Sequence, residues 1–152
     1  MLRTLAFVTL LGLLAGCEAY ALRGKVIDGG TSSITLVNKG DDRLAGDGFG
    51  GAEVRAILDP DKLSRKDLGT VIAAQDGTFA LPVHEVGAGL LEYKVMVVVR
   101  YPHCAPAARL MQLPPGDKRL LVSLSAGEDK LDLDYNIVDE TRQLGEELMR
   151  RQ

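Results

Sequence analysis

From Leu22 onward, apolar and polar positions alternate with a period of two, interrupted by breaks carrying Gly, Asp or Pro. Alternation of that kind predicts half-buried strands joined by short turns. Leu22, Gly24 and Val26 alternate with Arg23, Lys25 and Ile27 until Asp28-Gly29-Gly30 closes the run. Ser33–Val37 is a second short run, and Asn38–Gly51 reads as a solvated loop rich in Gly and Asp. Ala52, Val54, Ala56 and Leu58 then alternate with Glu53, Arg55 and Ile57. A polar excursion follows from Asp59 to Gly69, with Asp59 placed to cap and Pro60 to open a short helical turn.

Thr70–Ala74 is strand-like again, and Gln75-Asp76-Gly77 leads into Thr78–Val83. Asp-Gly between two β runs predicts a hairpin, because a type I′ turn needs positive φ at both central residues. Phe79, Leu81 and Val83 share one face of that strand. Pro82, which lacks an N–H, predicts that this strand lies at a sheet edge or ends near there. After the Gly87-Ala88-Gly89 turn, Tyr93, Val95, Val97 and Val99 line one face and Lys94, Met96, Val98 and Arg100 the other. Both faces are apolar in the middle, which predicts a central strand. Ala107–Leu113 is a weaker run, Pro114-Pro115-Gly116-Asp117 turns the chain, and Leu120, Val122 and Leu124 mark the last clear strand. Lys130–Asn136 alternates as a further edge strand would. Ile137, Thr141, Leu144 and Leu148 then fall on a helical stripe with Asp139-Glu140 at its N-terminal end and Arg150-Arg151 at its C-terminal end.

The first seventeen residues follow a different pattern. Arg3 precedes an apolar run from Leu5 to Leu14, and Ala15-Gly16 lead to Cys17. This is the layout of a secretory signal peptide, with an apolar run well short of the ~20 residues that span a bilayer. Leu14-Ala15-Gly16-Cys17 resembles the lipobox of bacterial lipoproteins at all four positions. That resemblance implies cleavage before Cys17, a lipid thioether on its sulfur, and attachment to a membrane of the cell envelope. Glu18, not Asp, follows the cysteine, which resembles the pattern of lipoproteins not retained in the inner membrane and favours the periplasmic or surface face of an outer membrane. The expected organisation is a signal peptide over 1–16, a tether over 17–21, a β-sandwich over 22–127 and a tail with a short helix over 128–152.

Composition narrows the function classes. Removing residues 1–16 from the 152 leaves 136, enough for a single core. The 18 basic and 21 acidic residues become 17 and 21 once Arg3 is lost, with no basic cluster, which argues against nucleic-acid binding. With Cys17 acylated, Cys104 has no partner within the chain. It is then either a small buried hydrophobe or a free or intermolecularly bridged thiol.

Seven or eight short strands predict an all-β, antiparallel β-sandwich. The order Leu22–Asp28, Gly50-Gly51-Ala52-Glu53-Val54, Gln75–Leu81 and Tyr93-Lys94-Val95 resembles the carboxypeptidase regulatory-like domain family. The resemblance runs over about Leu22 to Leu124 and implies a transthyretin-like, Greek-key sandwich that acts as an accessory module and not as an enzyme. The Asp59–Gly69 insert and the C-terminal tail depart from the family pattern.

Candidate chemistry is sparse. His84 and His103 are the only histidines. Transthyretin-like hydrolases carry a C-terminal Tyr-Arg-Gly-Ser signature that this chain lacks, and a hydrolase reading requires both histidines and an Arg to converge on one pocket. Dioxygenases of related shape would need tyrosines and a His-x-His spacing, which is also missing. Tyr101-Pro102-His103-Cys104 sets imidazole beside thiol, a weak soft-metal candidate, since neighbours on an extended chain point opposite ways. Asp41, Asp42 and Asp47 are calcium-type ligands without EF-hand spacing. No cofactor is expected. Binding, where present, is expected in loops carrying Asp41, Asp42, Asp47, Lys62, Arg65, Tyr101 and His103. Those loops would meet an envelope protein partner or, alternatively, a small ligand or carbohydrate. The absence of Trp and the presence of only three Phe disfavour sugar stacking.

Overall fold

The computed structural model describes residues 20–63 and 65–131. The leader, Cys17 and the expected C-terminal helix lie outside them, as does most of the Lys130–Asn136 run. The eight strands are β1 (Ala21–Asp28), β2 (Ser33–Asn38), β3 (Glu53–Leu58), β4 (Lys66–Ile72), β5 (Thr78–Pro82), β6 (Lys94–Arg100), β7 (Ala107–Gln112) and β8 (Lys118–Leu124). They form two four-stranded sheets, ordered β2-β8-β1-β5 and β4-β3-β6-β7. Leu22, Val26, Leu81, Leu120 and Val122 from the first sheet meet Val54, Val95, Val97 and Val99 from the second in one apolar layer. The all-β, two-sheet expectation therefore holds.

Four local expectations change. One pair of strands is parallel: β1 runs alongside β8, with Gly24 opposite Leu120 and Asp28 opposite Leu124. The two ends of the sandwich sequence meet at the centre of the first sheet, and there each strand is buried on both sides. Asp76-Gly77 makes a tight turn, closed by bonds from Gly77 N to Ala74 O and from Ala74 N to Thr78 O, both 2.8 Å. It is not a hairpin within one sheet, however. β4 pairs with β3 and β5 with β1, so the turn passes the chain from one sheet to the other.

The polar excursion is also shorter than its sequence suggests, because Lys66 and Asp67 already belong to β4. β4 is an edge strand, where charged side chains are tolerated and discourage stray pairing. Its register skips Leu68 between Gly69 and Asp67, a bulge that turns both Leu68 and Val71 onto the core. No helical turn opens at Pro60. Asp59 sits at φ 44°, outside the extended conformation of a cap, and two successive tight turns run from Asp59 to Arg65.

The fourth change concerns Lys25, expected on a solvated face and found only 5 % exposed. The stretch after β2 does not hang in solvent but runs along β1, with Phe49 N donating to Val26 O at 2.9 Å. The Lys25 ammonium donates to the carbonyls of Leu44 (3.0 Å) and Gly46, fastening the stretch as a strap. Hydrogen bonds to a charged group contribute about 1.5–3 kcal/mol each, and the cost of burying the ammonium offsets part of the pair, so Lys25→Met should destabilise the fold by about 1.5–3 kcal/mol in total. Urea unfolding of the chain from residue 18 onward would measure it. A loss under ~0.5 kcal/mol would mean that the strap holds without the ammonium.

Other expectations are met. β5, with Pro82, is an edge strand, and β6 is interior with Val97, Val98 and Val99 all buried.

Candidate functional site

The strands place the loops at two opposite ends. Ala21 pairs with Pro82, Leu58 with Lys66, Lys94 with Gln112, and Asn38 with Lys118, all at the end where the chain enters. Glu53 pairs with Ile72 and with Arg100 at the other end. Seven residues of β6 at ~3.3 Å each separate the two ends by roughly 20 Å.

The end away from the chain entry holds an open groove of about 580 Å³. Its floor is the Tyr101–Cys104 segment, and Glu53, Ile72, Arg100 and Asp129 line its sides. Tyr101 stacks on Phe49 with ring centroids 4.9 Å apart. Bonds from Gly127 N to His103 O (3.1 Å) and from Ala105 N to Ser125 O (2.9 Å) stitch the segment to the chain beyond β8. His103 lies at φ 62°, a left-handed conformation that turns the backbone sharply after Pro102. Arg100 donates to Asp129 at 2.6 Å and to Leu131 O at 2.8 Å. The backbone N–H of Leu131, followed by the Arg100 guanidinium, holds the Asp129 carboxyl below the usual carboxylate range.

The nominated residues do not converge. Tyr101 and His103 share the groove, but His103 is exposed while Cys104 is half-buried and packed against the core. Cys104 lines the same groove as His103, but no group of three or more His, Cys, Asp or Glu side chains among the described residues could hold a metal ion. Asp41 and Asp42 belong to the strap. Asp41 caps a single 3-10 turn (Asp42–Leu44) and takes both Nε (2.9 Å) and Nη2 (2.8 Å) of Arg43. Those side-chain bonds, with the Arg43 backbone N–H, lower its carboxyl to about 2. A carboxylate so engaged has little capacity left for calcium. Lys62 pairs with Asp59 at 3.1 Å, and Arg65 lies on the same loop, at the chain-entry end. His84 is at that end too, beside Tyr20 and Glu85, so one pocket cannot contain both histidines.

Sequence reasoning nominated Lys62 and Arg65 at the chain-entry end but passed over the apolar part of that end. Tyr20 anchors it: the phenol donates to Pro114 O at 2.5 Å, and its backbone carbonyl accepts from Val83 N at 2.9 Å. Burial pushes the phenol up to about 12, against a smaller opposing effect of the Arg119 charge. The loops of the same end carry Leu63, Val86, Leu90 and Leu91, all exposed. The sequence signal was present, since apolar residues interleaved with Gly87 and Gly89 in a turn have no sheet face on which to be buried.

No family model, curated protein or solved structure matches this chain.

Proposed function

We propose that this chain is a lipid-anchored protein of a bacterial cell envelope, whose β-sandwich is a non-catalytic interaction or structural module. The observation that carries this is Leu14-Ala15-Gly16-Cys17 at the end of a charged and then apolar leader. The position of Tyr20 supports it, because this residue, bonded through its phenol to Pro114 O, stands three positions after the proposed acylation site, so the lipid would lie close to the sandwich. Each buried CH₂ contributes about 0.8 kcal/mol, so two or more acyl chains hold such a body stably while one holds it only marginally. The order of the Gly-x-Val, Gly-Ala-x-Val, Asp-Gly-x-Phe and Tyr-x-Val motifs supports a transthyretin-like, Greek-key domain of the carboxypeptidase regulatory-like kind. The separation of His84 from His103 supports the non-catalytic part of the reading over a hydrolase. Envelope partners would then meet the groove around Tyr101 and His103.

Labelling cells with a fatty-acid analogue tests the anchor. Label is expected on the wild-type chain, shortened to begin at Cys17, and none on Cys17→Ala. An unlabelled wild type, or equal label on Cys17→Ala, would overturn the reading.

A further inference from the structure

Among the described residues, the three most exposed large apolar side chains are Leu63 (95 %), Leu90 (90 %) and Val86 (86 %). With Leu91 at 55 %, they all stand on the loops at the chain-entry end. These loops are built, not frayed. Leu90 N and Leu91 N both donate to Gly87 O, at 2.9 and 2.8 Å, and Tyr93 Oη donates to Val86 O at 2.7 Å. Lys66 Nζ meets Glu85 Oε1 at 2.5 Å, tying the start of β4 to the loop that follows β5. The structure thus holds apolar side chains in water on an ordered surface, and such a patch marks an interaction face.

We propose that this end of the sandwich docks into the interfacial layer of the bilayer that holds the Cys17 lipid, so that the groove at the other end faces away from the membrane. The proposal rests on the lipid-anchor reading and adds an orientation to it. Reach selects the occupant. Tyr20 is three positions along the chain from Cys17, a span of at most about 10–11 Å. That is comparable to the ~5–10 Å to which apolar faces sink at a membrane surface. The chain-entry end is therefore held at the acyl boundary, while the other end stands a strand length further off. Charge defines the kind of surface. Lys39, Lys62, Arg65, Lys66, Lys94, Lys118 and Arg119 stand there with Asp59, Asp61, Glu85, Glu92 and Asp117, a small excess of positive charge. That excess adds a modest, salt-screened attraction to anionic lipid, so a zwitterionic bilayer isolates the apolar contact, on which ionic strength has little influence.

The chain contains no Trp, so Leu90→Trp and Ile72→Trp each create a single fluorophore, at the chain-entry and the opposite end respectively. Both positions are exposed, and neither change disturbs the core. The lipidated full chain would be placed in phosphatidylcholine vesicles with bromine on the acyl chains. Quenching is expected for Leu90→Trp and not for Ile72→Trp, unchanged between low and high salt. Equal quenching of the two would overturn the orientation. A blue-shifted Leu90→Trp emission without bromine quenching would also overturn it, placing protein and not lipid over the patch. Vesicle flotation separates the two readings: a floating chain with unquenched Leu90→Trp removes the docking alone, whereas a chain that does not float removes the anchor as well.

Discussion

Leu120→Ala is expected to lower the unfolding free energy by about 3–5 kcal/mol, the upper part of the range for removing a buried leucine side chain. Leu120 is fully buried on β8 and lies in a cross-strand row with Leu36, Gly24 and the Phe79 ring. Its neighbour on β1 is a glycine, whose missing side chain is replaced by the Phe79 ring and the Leu120 carbonyl pressing against that backbone. Shortening Leu120 therefore opens a void beside a position that has no side chain to relax into it. Residual cavity volume is what moves such substitutions from the low to the high end of their range. Against a typical total stability of ~5–15 kcal/mol, the loss is a large fraction. Leu36→Ala, in the same row but 37 % exposed on an edge strand, should cost under ~1.5 kcal/mol. Urea denaturation of the chain from residue 18 onward gives both values, and similar losses for the two would show that the row collapses freely.

Gly77→Ala is the second large effect, expected at about 3 kcal/mol or more from two additive causes. Gly77 lies at φ 80°, where an L side chain costs roughly 1–2 kcal/mol. A Cβ there would also strike the Val26 carbonyl, Gly48 Cα and Phe49 N, all of them backbone atoms that cannot swing aside. The same contact point joins three segments, since Val26 N donates to Gly77 O and Phe49 N donates to Val26 O, each at 2.9 Å. Gly51 is the control. Its φ is 87°, but its Cβ would meet only the edge of the Tyr101 ring, at 4.0 Å. Gly51→Ala should therefore lose only the backbone part, about 1–2 kcal/mol. If the two substitutions prove equally costly, the packing of strap, β1 and turn around Gly77 contributes nothing.

Gly77 also shows how a correct local reading can carry a wrong pairing. Asp-Gly specified a tight reversal, which is present, and positive φ at both central residues, which Gly77 has and Asp76 does not. Turn chemistry says nothing about which strands the departing segments join, and here they join different sheets. Lys25 was misplaced for a related reason: alternation assigned it a face, and the chain itself then covered that face. The charges of Lys66 and Asp67 suggested a loop, although at an edge a strand accommodates them. For the candidate sites, the sequence nominated Tyr101 and His103, which do share a groove. It also nominated Asp41, Asp42 and Lys62, which lie elsewhere, and it missed the apolar loops around Tyr20.

What this sequence determined alone was local: period-two alternation for the strands, Gly and Asp for the turns, Pro82 for an edge, and the doubly apolar centre of β6 for an interior strand. These follow from steric and solvation preferences of a few neighbouring residues, which any segment carries wherever it goes. Only the tertiary structure decided that β1 lies parallel to β8, that the segment after β2 is a strap, and that the exposed leucines gather at the end where the chain enters. Each of those is a contact or juxtaposition between segments far apart in the chain, set by the packing of two whole sheets, and no short-range pattern encodes it.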